Sequence, residues 1–129
     1  MPVRLGRVLV VDDDPDTVDL LTTILSDVGY EVIAAFTGGD GLMMLEVESP
    51  DVILLDLQMP GLHGMDVLRR LRMARPEIPV IIVSGQGDAE LARATLRRGA
   101  VDYIRKPMNP EHLVRAVAAA LGGRAALRP

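Results

Sequence analysis

Two apolar runs that end in carboxylates constrain the fold of this 129-residue chain more than any other feature. Val8–Val11 leads into Asp12–Asp14, and Val52–Leu55 leads into Asp56. Unbroken apolar runs of this length, bounded by turn residues, are typical of strands buried on both faces of a parallel sheet. Ligands of open α/β sheets bind at the carboxyl ends of the strands, so these acids are candidates for one functional site. Taken alone, Asp56 is equally compatible with a helix cap or an Asx-turn.

Several carboxylates at one sheet edge repel one another unless a cation or a proton lies between them. The chain has no Cys, so neither a thiolate metal site nor a disulfide is available. Short oxygen-bearing side chains suit Mg²⁺ better than Zn²⁺. The acids therefore predict a magnesium site.

Composition places the chain among ordinary globular domains. It is 49% hydrophobic and 25% charged, and its length predicts one domain with a sizeable core. It has no apolar stretch near the length that spans a bilayer and no basic-then-apolar leader. We expect a soluble, cytoplasmic protein without a membrane segment.

The charge is distributed unevenly along the chain. Residues 1–64 carry 12 acids and 2 bases, whereas residues 65–129 carry 6 acids and 12 bases. The arginines at helical spacing in the second half fit the solvated faces of helices better than a partner-binding patch. The three aromatic residues provide few stacking platforms for bases. We therefore expect no nucleic-acid binding by this segment.

Strand and helix patterns alternate five times along the chain. Helical periodicity is clearest where Val18, Leu21, Leu25 and Val28 recur at three- and four-residue steps. This order predicts an α/β fold, a doubly wound five-stranded parallel sheet flanked by five helices. The predicted strands are Arg7–Val11, Tyr30–Ala35, Val52–Leu55, Pro79–Ser84 and Val101–Arg105. The predicted helices are Pro15–Val28, a segment after the turn Thr37–Asp40 that ends before Pro50, Met65–Arg75, Ala89–Arg98, and one opened by Asn109–Pro110.

Gly122–Gly123 is predicted to end the last helix. The domain is therefore expected to span residues 1–123. Residues 124–129 are expected to form a C-terminal tail or the start of a linker.

Polar residues follow four of the five predicted strands. Asp12 and Asp13, Asp56, Ser84 and Lys106 each stand at or just after a strand's carboxyl end. Lys106 is the only Lys among 14 basic residues, which favours a position that requires a compact point charge. This coincidence predicts a single polar site.

These residues occur within four short motifs in a fixed order. They are Val10–Pro15, Asp56–Gly61 with Gly64 after it, Val83–Gly85 and Tyr103–Pro107. In this order and at these separations the chain resembles the receiver domains of response regulators in two-component signalling, over essentially its whole length. The resemblance implies the flavodoxin-like receiver fold and a cis peptide bond before Pro107.

The resemblance also implies roles for individual residues. Asp56 would be the phosphoacceptor, and Asp12 and Asp13 would hold Mg²⁺ together with Asp56 and the backbone carbonyl of Gln58. Ser84 would hydrogen-bond a phosphoryl oxygen.

The remaining implied roles concern charge, switching and hydrolysis. Lys106 would place its ammonium on another phosphoryl oxygen. Tyr103 would swing inward as a switch residue when Ser84 moves, and Gln58 and Gln86 would tune hydrolysis of the phosphoaspartate. Without the resemblance, the default interpretation of Tyr103 is an ordinary half-buried strand aromatic.

The implied function is a phosphorylation-driven switch of the kind attached to transcription regulators. The domain would take a phosphoryl group from a histidine kinase or a phosphotransferase. It would then change the surface formed by the fourth helix, the last strand and the fifth helix and so control an output domain or a partner. Formation of a homodimer through the same surface is a further hypothesis. Two alternatives are a phosphate-independent interaction module and a Mg²⁺-dependent phosphohydrolase with Asp56 as nucleophile. Neither Gln58 nor the short loops favour the hydrolase.

Two neighbouring residues have simpler interpretations. Asp14 is predicted to cap the first helix or to lie near the metal without binding it, with direct metal ligation as the alternative. His63 is predicted to be a surface loop residue, with a pH-sensitive contact near the site as the alternative.

Overall fold

A computed structural model describes residues 5–59, 63–85, 87 and 89–125. Of residues 123–125 it describes the backbone only. Strands and helices alternate throughout, as predicted. The strands are β1 (Gly6–Val11), β2 (Tyr30–Ala35), β3 (Val52–Leu55), β4 (Val80–Ser84) and β5 (Asp102–Arg105). The helices are α1 (Pro15–Asp27), α2 (Gly38–Glu48), α3 (Gly64–Ala74), α4 (Ala89–Arg97) and α5 (Pro110–Ala125). None of these helices combines the length and apolar content that crossing a lipid bilayer requires.

All five strands pair in parallel, in the order β2-β1-β3-β4-β5. The chain runs from β1 outward to β2 and then returns across β1 to β3. The strand order therefore reverses between β1 and β3, and this reversal creates a crevice at the carboxyl edge. The register places Val11 beside Leu55 and Leu55 beside Ile82, so the central strands end nearly level. The predicted doubly wound parallel sheet is confirmed.

The core has two layers, one on each face of the sheet. Along the central strands, alternate side chains point to opposite faces, and each face is covered by helices. This explains why the sequences of these strands are unbroken apolar runs rather than alternating ones. One layer combines Val8, Val10, Leu54 and Val83 with residues of α1 and α5. The other combines Leu9, Val11, Leu55 and Ile82 with residues of α2, α3 and α4.

The helices begin at capping side chains. Asp14 precedes α1, and its carboxylate accepts hydrogen bonds from the Asp16 N–H (3.2 Å) and the Thr17 hydroxyl (2.8 Å). The first of these bonds satisfies a backbone donor that the first helical turn leaves without an intrahelical partner. The capping interpretation of Asp14 is confirmed. His63 lies exposed before α3, and its Nδ1 accepts a hydrogen bond from the Met65 N–H at 3.3 Å.

Two boundary predictions were wrong. The predicted turn at Thr37–Asp40 is the start of α2, because the Thr37 hydroxyl accepts from the Asp40 N–H at 3.0 Å and caps the helix. Helix α5 does not end at Gly122–Gly123 but continues to Ala125. A glycine ends a helix when it adopts a positive φ, as Gly29 and Gly99 do here, whereas Gly122 does not. Residues 126–129 of the predicted tail lie outside the described residues.

Smaller differences concern single residues at element ends. β1 begins one residue earlier than predicted, whereas β4 and β5 begin one residue later. α3 begins one residue earlier, and α1, α3 and α4 each end one residue earlier. The Lys106–Pro107 peptide bond is cis, as the family resemblance implies.

Helix α3 begins in direct contact with the segment that follows β3. A Cβ built on Gly64 would lie 2.5 Å from both the Cα and the carbonyl oxygen of Leu57. Gly64 is buried, and the atoms that it would strike belong to the backbone, which cannot rotate away. Because Gly64 has no side chain, α3 can approach the segment between Asp56 and Gln58 and hold it in place.

We expect Gly64→Ala to lower the free energy of unfolding by about 3 kcal/mol, the upper end of the range for overpacking a buried position. The matched control is Gly122→Ala, whose added methyl group would have no heavy atom within 4 Å. This control should raise the free energy of unfolding by up to about 1 kcal/mol, because alanine is the better helix former. Urea denaturation of both variants measures the two effects. Equal changes of the same sign would contradict the proposed close approach of α3.

Candidate functional site

Backbone hydrogen bonds extend the sheet just beyond its strand ends and so position the polar residues there. The Asp12 N–H donates to the Ala35 carbonyl, and the Asp56 N–H donates to the Val11 carbonyl, both at 3.0 Å. The Lys106 N–H donates to the Ser84 carbonyl at 3.0 Å. The backbones of these residues are therefore set by the rigid sheet rather than by free loops.

Three carboxylates meet at this edge. Asp12 and Asp56 are only 2% and 4% exposed, while Asp13 lies at the surface. One carboxylate oxygen from each of the three lies within 4.8 Å of the others. The sequence predicted that these acids would converge, and the parallel register brings them together.

Lys106 reaches this cluster from the opposite side of β3. Its Nζ lies 2.7 Å from Asp12 Oδ2 and 3.5 Å from Asp56 Oδ2. Each acid also accepts a backbone hydrogen bond through its other oxygen. The Asp14 N–H donates to Asp12 Oδ1 at 2.9 Å, and the Gln58 N–H donates to Asp56 Oδ1 at 3.1 Å. Each carboxylate therefore faces Lys106 with one oxygen and a backbone N–H with the other.

The environment shifts the protonation of Asp56 and Lys106. Burial raises the pKa of the Asp56 carboxyl, the Gln58 N–H and the Lys106 ammonium offset part of this rise, and the Asp12 carboxylate adds to it. Burial alone would lower the pKa of Lys106, but the hydrogen bond and charge of Asp12 and the charge of Asp56 outweigh it, so its pKa is raised. Lys106 therefore remains a cation, and Asp56 is a more basic carboxylate than a solvent-exposed one.

The donor set fits a hard divalent cation. Three carboxylates and one ammonium leave a formal excess of two negative charges when all are ionised. All the candidate side-chain donors are oxygens, and the exposed Asp13 leaves the cluster open to solvent on one side. Mg²⁺ binds through carboxylates while retaining several waters, and this arrangement leaves room for them. Asp12, Asp13 and Asp56 are the side chains that could hold it.

The remaining predicted residues lie around this centre. Ser84 is fully buried at the end of β4, where it pairs in register with Arg105. Tyr103 is half-buried and pairs with Ile82, so it lies further from the edge than Ser84. Gln58 is exposed beside the cluster. Gln86 lies outside the described residues.

One residue near the site was not found from the sequence. A Cβ on Gly87 would lie 2.8 Å from the Tyr103 hydroxyl oxygen, so the tip of this ring rests against the segment after β4. Glycines in this segment predict only conformational freedom, and no local pattern signals a tertiary contact with β5.

Comparison with known proteins identifies the family. The sequence model of the response regulator receiver domain family matches residues 8–118 of this chain. The chain belongs to this family. Receiver domains are components of two-component systems, and the acids and lysine described above lie at the edge where open α/β sheets bind ligands.

Individual relatives support this membership over nearly the whole chain. Protein PilH of Pseudomonas aeruginosa is 39% identical over 121 residues, which are 92% of this chain and the whole of PilH. The DNA-binding response regulator MtrA of Mycolicibacterium smegmatis is 38% identical, but the match covers 94% of this chain and only 53% of MtrA. A crystal structure of a CheY-like receiver domain protein from Methanospirillum hungatei superposes with a TM-score of 0.89 at 35% identity and covers 95% of this chain and 98% of that one.

We expect Asp56→Asn to raise the free energy of unfolding at neutral pH in a chelating buffer. The gain should be roughly 1–3 kcal/mol, a part of the ~4 kcal/mol by which two close charges repel at the effective permittivity of protein surfaces. Because the folded-state pKa of Asp56 is raised, its carboxyl favours folding fully below the unfolded pKa. That contribution is lost as the pH rises through the folded-state value. The gain from the substitution should therefore shrink as the pH is lowered toward 4.

Urea denaturation at several pH values measures this dependence. Asp14→Asn is the control, because the hydrogen bond from Thr17 lowers the pKa of the Asp14 carboxyl and ionisation there favours folding. This control should not be stabilised at neutral pH. Stabilisation of both variants alike would show that general charge reduction, rather than repulsion at Asp56, is responsible.

Proposed function

We propose that this domain accepts a phosphoryl group on Asp56 from a phosphohistidine of a sensor histidine kinase or a phosphotransferase. The observation that carries the proposal is a buried carboxylate at the sheet edge, held by a backbone N–H and flanked by the Lys106 ammonium and two further acids. Burial and the neighbouring Asp12 carboxylate make Asp56 more basic and therefore a better nucleophile toward phosphorus.

In this reaction an Asp56 carboxylate oxygen bonds to phosphorus while the bond from phosphorus to the donor nitrogen breaks. The electron pair of that bond returns to the imidazole. Negative charge accumulates on the phosphoryl oxygens, and Lys106 and the Ser84 hydroxyl would stabilise it. Asp12, Asp13 and the backbone carbonyl of Gln58 would hold Mg²⁺ together with Asp56. When bound, Mg²⁺ supplies the positive charge that offsets repulsion between the carboxylates and the incoming phosphoryl group.

Lys106 has two roles in this proposal. Before phosphorylation its ammonium neutralises Asp12 at 2.7 Å and lies farther from Asp56, at 3.5 Å. A phosphoryl group on Asp56 would provide a more negative partner, so the ammonium would turn from Asp12 toward it. A compact ammonium on a flexible stem can make this exchange without the fixed fork geometry that a guanidinium requires.

Loss of the phosphoryl group would be tuned by Gln58 and Gln86. Their amide side chains cannot remove a proton from an attacking water, so neither residue is a general base. The phosphoaspartate would then persist long enough to bias the protein between two conformations.

The output surface in this proposal is formed by α4, β5 and α5. It carries the exposed Arg93 and Arg97 of α4 and two exposed apolar side chains, Leu96 at 45% and Val101 at 51%. Arg115 of α5 is also exposed, but it lines a groove that α5 shares with α1. A surface with exposed apolar side chains and cations is suited to being covered when the switch is on. The match to the whole of PilH and to half of MtrA makes either a single-domain protein or a longer regulator a suitable setting. The proposal places the protein in the cytoplasm, where ATP-dependent kinases act.

Incubation with Mg²⁺ and acetyl phosphate tests the reaction. We expect intact-mass spectrometry to show the gain of one phosphoryl group that requires Mg²⁺ and is absent from Asp56→Asn. Lys106→Met should react roughly 10²-fold more slowly, the usual effect of removing one group that stabilises transition-state charge. Arg105→Met, which removes the adjacent exposed cation, should react at nearly the wild-type rate.

Two outcomes would contradict the proposal. Unchanged mass with every acyl phosphate or phosphohistidine donor would favour the phosphate-independent interaction module. Rapid consumption of the donor without an accumulated phosphoprotein would favour the hydrolase.

We expect phosphorylation to promote homodimers through the α4, β5 and α5 surface. Light scattering should show twice the monomer mass when beryllium fluoride and Mg²⁺ mimic the phosphoryl group. Val101→Glu should abolish this increase, because it places a charge among apolar contacts. Val47→Glu is the matched control, since Val47 is 70% exposed on α2, outside this surface. An unchanged monomer mass, or an equal loss in both variants, would contradict this interface.

A further inference from the structure

Gly87 is in close contact with the tip of Tyr103. The three heavy atoms nearest to a Cβ built on Gly87 all belong to Tyr103, with the hydroxyl oxygen at 2.8 Å, Cε1 at 3.3 Å and Cζ at 3.5 Å. A Cβ carbon cannot approach a neighbouring heavy atom closer than about 3 Å, so an alanine at this position would require the tip of the Tyr103 ring to move.

Gly87 differs from the nearest described glycine in what surrounds it. Gly85 provides a comparison within the same segment. Its added Cβ would come no closer than 3.5 Å to a side-chain oxygen of Gln58, which is ordinary contact. The close contact with Tyr103 therefore distinguishes Gly87 from Gly85.

The position of Tyr103 connects two parts of the molecule. Its backbone is anchored in β5 opposite Ile82, and its half-buried ring packs against the apolar layer beneath α2, α3 and α4. Gly87 lies three residues after Ser84 in the segment that leads into α4. Because the ring lies at the free end of a side chain, it can rotate away from an added methyl group without unfolding the domain.

We propose that Gly87 is a positioning residue that admits the Tyr103 ring to its inward position between β5 and the segment after β4. Any larger side chain at Gly87 would displace the ring toward solvent. This inference deepens the proposed function and rests on it in one respect, namely that the inward ring belongs to the phosphorylated conformation. Gly87 would then set how readily phosphorylation of Asp56 shifts the α4 and β5 surface.

Tyrosine fluorescence tests the ring position directly. The chain contains two Tyr and no Trp, so Tyr30→Phe leaves Tyr103 as the only tyrosine reporter. In this background Gly87→Ala should increase quenching of Tyr103 by acrylamide, with a shift of the inward-to-outward equilibrium of roughly 5- to 150-fold. Gly85→Ala is the matched control and should leave quenching unchanged. Unchanged quenching in Gly87→Ala would overturn the proposal.

Denaturation of a double-mutant cycle separates positioning from general damage to the segment. Gly87→Ala should lower the urea midpoint when Tyr103 is present and should leave it unchanged in the Tyr103→Ala background. An equal loss in both backgrounds would show that the methyl group disturbs something other than the ring, and would also overturn the proposal.

The regulatory part is measured with beryllium fluoride and Mg²⁺ as the phosphoryl mimic. In the Tyr30→Phe background the mimic should decrease quenching of Tyr103, and this response should be lost or reduced in Gly87→Ala although both proteins gain a phosphoryl group from acetyl phosphate. Failure of Asp56 to be phosphorylated would refute the proposed function and leave the two measurements of ring position valid. Normal phosphorylation with an identical quenching response in both proteins would refute only the role of Gly87.

Discussion

The ion pairs between Lys106 and two buried acids are the interaction on which the rest of the site depends. Asp12 and Asp56 lie almost completely out of solvent at adjacent strand ends, where their charges repel and their hydration is lost. The Lys106 ammonium, which is close to both acids, offsets part of this cost. The backbone N–H groups of Asp14 and Gln58 offset a further part. The site nevertheless keeps an excess of negative charge. In the proposed function, that excess would favour the binding of a divalent cation.

The parallel sheet can hold these charges close together because its hydrogen bonds fix the backbones that carry them. The register carries Asp12, Asp56, Ser84 and Lys106 to one edge, and the strand order reverses between β1 and β3 at that edge. Two glycines, which have no side chain, complete the arrangement. Gly64 lets α3 press against the backbone after Asp56, and Gly87 lets the ring of Tyr103 lie against the segment after Ser84. Both glycines allow a close approach that a side chain would prevent.

Much of the fold could be predicted from local sequence. Unbroken apolar runs marked the central strands, and helical periodicity with Asp14 and Gly29 marked α1 and its ends. Where prediction failed, a local signal was ambiguous. Gly122–Gly123 read as a helix end, yet a glycine can continue a helix at a cost of about 1 kcal/mol relative to alanine, and α5 does so. Thr37–Asp40 read as a turn, although the same residues with a capping hydroxyl form the first turn of α2.

By itself the sequence determined the order of strands and helices, the identity of the polar residues at the strand ends and, through their motifs, membership of the response regulator receiver family. These properties are local, because they depend on which residues are neighbours along the chain. The tertiary structure alone decided that Lys106 pairs more closely with Asp12 than with Asp56, that Ser84 is fully buried, and that Gly64 and Gly87 face Leu57 and Tyr103. Those contacts join residues distant in sequence, and their distances follow from strand register and helix packing, which no short stretch of the chain encodes.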